Sequence, residues 1–200
     1  MRTVSRRKTN YGVIVILILA ISILFGFLFD IICTEIEKRI YPKPDEYDEF
    51  IAKYSHEYGV SEDMIYAVIK TESNFDSSAV SSKGATGLMQ IMPSTFEWIT
   101  TDLLREYLAP GMIYDPETNI KYGTYYLARL YRKFGDWNTA VAAYNAGEGK
   151  VSEWLKDPRY SDDGARLNID SIPKEFSETE NYVKKVNKAL RKYGELYNEK

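Results

Sequence analysis

Between Lys8 and Asp30 lie 21 consecutive residues without a charge, most of them Ile, Val, Leu or Phe. A run of ~20 apolar residues is what the hydrocarbon core of a bilayer demands. It predicts a transmembrane helix over residues 11–32. A cleaved signal peptide is the competing reading, but its apolar core usually spans ~7–15 residues and ends at small residues. Here the run ends in FLFDIICTEI, with no small pair to cleave after, and Cys33 follows Ile32, which makes it a poor lipidation site. An uncleaved anchor fits better.

Charge orients the span. Arg2, Arg6, Arg7 and Lys8 precede it, whereas Asp30, Glu35 and Glu37 outnumber the cations just after it. The positive-inside rule then predicts that residues 1–10 are cytoplasmic and that the chain beyond ~33 is extracytoplasmic. Removing those four cations from a net charge of −3 leaves −7 on residues 11–200. An acidic exported domain argues against nucleic acid as a partner, because it offers no basic surface for phosphates.

The same inventory narrows the chemistry. One cysteine permits no internal disulfide, and the single histidine, His56, reads as a surface residue at a helix end. Zinc sites need several Cys or His ligands, and a Ser or Cys nucleophile usually needs a histidine base. The expectation is therefore no metal and no cofactor. Catalysis, if present, runs on carboxylates.

Beyond the span, residues 33–46 read as a linker, Pro-punctuated in YPKPDEYDE (41–49), and residues 47–200 as one all-α domain. At 200 residues and 44% hydrophobic composition the chain has enough apolar material for one core. Gly59 ends a first helix and Ser61 caps a second; Pro93 lies near the first turn of another. Asp115-Pro116-Glu117 is an N-cap, a proline at N1 and an acid at N2, opening a helix that stops at Gly135. WNTAVAAY and KVSEWL are short helices around the glycine turn NAGEG. Residues 157–173 are polar and rich in breakers, hence a long loop. Ser177 and Glu180, spaced as a capping box, open the last helix.

One residue sits against this pattern. In AVIKTESNF (67–75) a helix places Ile65, Val68, Ile69 and Glu72 on one face, so a carboxyl points inward at the end of its helix. Burial and the negative end of the helix dipole both disfavour its ionised form. That is how a carboxyl group stays protonated near neutral pH.

Four segments occur in one order: ESNF (72–75), GATGLMQIMP (84–93), AAYNAG (142–147) and IPKEFSETENYV (172–183). Together they resemble the lytic transglycosylases, of the soluble lytic murein transglycosylase type with a goose-lysozyme-like fold. The resemblance covers roughly Tyr47 to Tyr193. It implies an all-α, lysozyme-like catalytic domain that cleaves the β-1,4 bond between N-acetylmuramic acid and N-acetylglucosamine in peptidoglycan strands. Glu72 matches the sole catalytic acid, which protonates the glycosidic oxygen and then takes a proton from the sugar's C6 hydroxyl to give a 1,6-anhydro product.

The resemblance also implies substrate contacts at Ser73, Ser81, Gln90, Met92, Tyr144, Asn145, Glu178 and Tyr182. Each has a plainer reading: Ser73 as a helix-end cap, Ser81 as a loop serine, Tyr144 as core. Leu88 and Ile91 read as core, Gly84 and Gly87 as positions of close approach or positive φ, and Asp76 as a turn residue. Glu180 stands where the family commonly has arginine, so it is assigned to the capping box and not to the site.

Two rivals remain. A hydrolytic goose-type lysozyme would need an ordered water held by a further carboxylate, and no such motif acid is visible across the cleft. A glycan-binding assembly protein of a secretion or conjugation system would have no need of a buried acid. The partners expected are peptidoglycan strands and, through the N-terminal helix, the lipid bilayer; the oligomeric state stays open.

Overall fold

The computed structural model describes residues 11–198, so the N-terminal cations and the reading of residues 1–10 as cytoplasmic lie outside it. The chain divides into two units at Pro42–Lys43. The first is a single helix, α1 (Tyr11–Ile40), of 30 residues, none of them buried. It is long and apolar enough to cross a membrane. Its large apolar side chains are exposed all round, which water does not tolerate over such a length. Residues 33–40, read above as the start of the linker, are helical and continue α1. Glu35 and Lys38 pair one turn apart there, at 3.7 Å, and Lys38 and Arg39 complement the helix C-terminus.

The second unit holds α2 (Asp45–Tyr58), α3 (Glu62–Glu72), α4 (Pro93–Glu97), α5 (Pro116–Phe134), α6 (Trp137–Ala146), α7 (Glu148–Trp154) and α8 (Ser177–Tyr197). The described residues contain no strand, only isolated antiparallel bridges at Val80–Thr86 and Thr86–Ile91. The helix signals act as their chemistry dictates. Gly59 and Gly135 end α2 and α5 at φ 70° and 68°. The Ser61 hydroxyl accepts from the Met64 N–H at 3.3 Å, and the Asp115 carboxylate from the Thr118 N–H at 2.8 Å. His56 is exposed in the last turn of α2.

The capping box at Ser177 does not form. A 3₁₀ turn, Lys174–Phe176, runs straight into α8, so Ser177 already has helical angles (φ −58°, ψ −20°) and no side chain caps the helix. An N-cap needs extended backbone to aim its hydroxyl at N2 or N3. Glu180 turns instead to Lys184 at 2.6 Å.

Four consecutive residues of α6, Ala140 to Ala143, are buried, so this helix is enclosed on every side. Small side chains there let α5 and α8 close on it, and α3 packs along α8. These contacts bring the end of α3, the end of α6 and the first turns of α8 together. The loop 157–173 is tied to the core where the Leu167 N–H donates to the Thr139 hydroxyl at 2.9 Å.

Candidate active site

Glu72 is the last residue of α3, reached by a stripe in which Ile65, Val68 and Ile69 are fully buried. The stripe forces the carboxyl toward the interior, where it is half-buried. The Tyr182 hydroxyl donates to its Oε1 at 2.6 Å. Burial pushes the Glu72 carboxyl up to about 7; the Tyr182 hydrogen bond lowers it and the nearby Glu178 carboxylate raises it further. Desolvation wins, since one hydrogen bond replaces only part of the lost hydration. Tyr182 itself is pushed well above its ordinary value, by burial first and by Glu72 second, so it stays a donor.

In front of Glu72 opens a cleft of about 410 Å³. One side is the segment after α3. There the Ser81 and Ala85 backbones bond to each other, and the Ala85 N–H also donates to the Ser81 hydroxyl at 2.9 Å. Gln90 lines the cleft with φ 47°, a left-handed geometry that costs a non-glycine residue about 1–2 kcal/mol. Its amide holds it there, donating to the Ala79 and Gly87 carbonyls at 3.0 and 2.9 Å. Met92 lies beside it, 38% exposed, while Leu88 and Ile91 of the same motif are buried. The far side is formed by the end of α6 and the start of α8.

Tyr144 and Asn145 reach the cleft from α6. The Tyr144 hydroxyl donates to the Met89 carbonyl at 2.8 Å, locking the glycine-rich segment against α6. Asn145 Oδ1 accepts from the buried Thr179 hydroxyl at 2.7 Å, locking α6 against α8.

The structure thus brings Glu72, Ser81, Gln90, Met92, Tyr144, Asn145 and Glu178 onto one cleft, with Tyr182 behind the acid. Ser73 is not among the residues lining it. Its hydroxyl donates to the Leu88 carbonyl at 2.8 Å, so it splices the end of α3 to the GLMQ segment. Asp76 is a turn residue, accepting from the Ser78 N–H and hydroxyl. Two further acids line the same cleft, both exposed: Glu178, expected there as a substrate contact, and Glu175, which was not expected.

The sequence reading missed Lys83, Phe176 and Thr179 on the cleft, and Asn119 beneath it. Thr179 shares the apolar face of α8 with Tyr182 and Val183, at i+3 and i+4, and that spacing was the signal. Asn119 carried none. It is buried in α5, accepting from the Met89 N–H at 2.8 Å and donating to the Thr86 and Ile113 carbonyls at 2.9 and 2.8 Å.

The Transglycosylase SLT domain family matches residues 49–166. The chain belongs to that family. Over 145 residues it is 39% identical to the soluble lytic murein transglycosylase of Salmonella typhimurium, covering 72% of this chain and 22% of that protein. It is 32% identical over 166 residues to the membrane-bound lytic murein transglycosylase C of Edwardsiella ictaluri, covering 74% and 42%. The inactive Glu-to-Gln mutant of the lytic transglycosylase Slt from Pseudomonas aeruginosa superposes with a TM-score of 0.68 at 34% identity, covering 79% of this chain and 25% of that one. The chain spans less than half the length of each. The family match stops before α8, so Glu178, Thr179 and Tyr182 enter the site from outside it.

Proposed function

We infer that this chain is a membrane-anchored lytic transglycosylase. It cleaves the β-1,4 bond between N-acetylmuramic acid and N-acetylglucosamine in peptidoglycan and leaves a 1,6-anhydro end. The observation that carries the reading is a carboxyl group held protonated to about pH 7 at an open cleft. Its relatives bear the names of lytic murein transglycosylases, and one of them is inactive with glutamine in place of a glutamate.

The steps need one carboxyl. Protonated Glu72 gives its proton to the glycosidic oxygen, and the bond from muramoyl C1 breaks with N-acetylglucosamine leaving as its 4-hydroxyl. The Glu72 carboxylate, steadied by the Tyr182 O–H, then takes the proton of the muramoyl C6 hydroxyl, and O6 closes on C1. The proton is back on Glu72 and no water is consumed. Ser81, Gln90, Met92 and Asn145 are the groups that would hold the sugars. Intramolecular attack reaches effective molarities of ~10⁵ M or more, far above bulk water.

Hydrolysis is the second reading, and Glu175 and Glu178 favour it, since a carboxylate across the cleft is what an attacking water needs. Mass spectrometry of digested strands decides. The expected ends are 1,6-anhydromuramoyl, lighter by one water than reducing ends. If reducing ends dominate from the first time points, the enzyme is a lysozyme.

The anchor reading places α1 across the cell membrane, with the N-terminus cytoplasmic and residues from Lys43 outside. Protease added to intact cells with a permeabilised wall should remove the domain and spare the N-terminus. A mature soluble protein beginning near residue 30 would identify a signal peptide instead.

A further inference from the structure

Lys83 is the one cation among the described residues that line the cleft, where it stands with the carboxyl groups of Glu72, Glu175 and Glu178. Its backbone is fixed. The Gly84 N–H closes a tight turn on the Ser81 carbonyl at 2.9 Å, with Gly84 at φ 87°, and the Ser81 N–H closes on Ala85 at 2.9 Å. The side chain is exposed, and no carboxylate among the described residues is within ion-pairing distance of its ammonium. Glu175 and Glu178 share the cleft with Lys83 and do not neutralise it. An unpaired ammonium in a cleft of carboxylates makes the potential positive at one place and negative elsewhere, which sorts ligands by where their charge lies.

A peptidoglycan strand is a ligand with that property. Its sugars alternate between neutral glucosaminyl units and muramoyl units that carry a carboxylate, on the lactyl ether or on the peptide attached to it. Two β-1,4 bonds therefore alternate along the strand, and a shift by one sugar presents the wrong one to the acid. Resting on the functional reading above, we propose that Lys83 sets the register of the strand by pairing with the muramoyl carboxylate. The muramoyl-to-glucosaminyl bond then lies over Glu72, while the one-sugar shift brings the carboxylate toward Glu175 and Glu178. Lys83 is a specificity residue, not a catalytic one.

The test uses the full chain in detergent carrying Glu72→Gln, so that no ligand is cut. Calorimetry compares three probes: a neutral chito-oligosaccharide, a peptide-free muramoyl oligosaccharide of equal length, and the same sugar bearing its peptide. The muramoyl probes should bind more tightly. Adding Lys83→Met should shrink that preference about fivefold, the scale of one exposed charge pair. Lys83→Arg should keep it, and added salt should erode it. A change confined to the peptide-free probe puts the carboxylate on the lactyl group, which the other probe holds as an amide; a change confined to the peptide-bearing probe puts it on the peptide; a change with both shows that Lys83 pairs with either. A preference that survives Lys83→Met overturns the inference alone. Failure of the Glu72→Gln protein to bind any of the three overturns the functional reading, and this inference with it.

Discussion

Glu72→Gln should fold normally and lose between ~10² and ~10⁴-fold in glycan cleavage, the range of a positioned general acid. Glutamine matches the shape of the carboxyl and still accepts the Tyr182 hydrogen bond, but it has no proton to give. Turnover within a few-fold of the parent would remove Glu72 from the mechanism. The pH dependence follows from the same group. Activity belongs to the protonated form, so it should fall as pH rises through about 7. Tyr182→Phe deletes the one lowering influence on Glu72 and should move that fall to higher pH.

Stability should run the other way for the variant. In the unfolded chain Glu72 loses its proton near 4.5, whereas the folded protein holds it to about 7. Between those values the native state binds the extra proton, so its stability falls as pH rises and levels off above 7. The span corresponds to an effect on the order of 3 kcal/mol. Glu72→Gln escapes it, and should match the parent in melts at pH 4 and exceed it at pH 8. Equal melting at both would mean that burial is not what raises the acid.

Gly87→Ala carries the second large effect, without touching the cleft. Gly87 has φ 80°, and a Cβ there would lie 2.4 Å from Asn119 Nδ2 and 2.7 Å from its Cγ. The left-handed backbone alone costs an alanine about 1–2 kcal/mol. Asn119 cannot step aside freely, because its buried amide serves three backbone groups of the 86–113 region. Each buried group left unpaired adds about 1–3 kcal/mol. A loss of at least ~3 kcal/mol is expected, read as a drop of ~6–12 °C in Tm. A shift under about 2 °C would show that the segment has slack the packing does not suggest.

The contrast between these two residues marks what the sequence could show. Glu72 was legible because the pattern around it is local: three apolar residues at helical spacing and a helix end suffice to aim it inward. Ser61, Asp115 and Gly135 were legible for the same reason, each acting on a neighbour within a turn. Ser177 misled because its hydroxyl depends on the turn before it, and Lys174–Phe176 delivers the chain already wound. Residues 33–40 misled because charge was read as the end of the span, while the helix needed only pairs one turn apart to continue. Asn119 and Lys83 were silent, and Thr179 offered only its helical spacing with Tyr182 and Val183. Their roles are set by groups that only the fold brings near, as is the approach of Glu175 to the cleft.

The bond between Glu72 and Tyr182 joins residues 110 positions apart. A growing chain therefore carries its acid long before it carries α8, which brings the tyrosine, the Thr179 brace and the second lip of the cleft. Without α8 the carboxyl loses part of the burial that raises it and stands closer to an ordinary glutamate. Closing a loop of this length costs entropy that contacts within one helix do not. The reactive proton is thus a property of the assembled domain: it takes shape where α8 docks on α3 and α6.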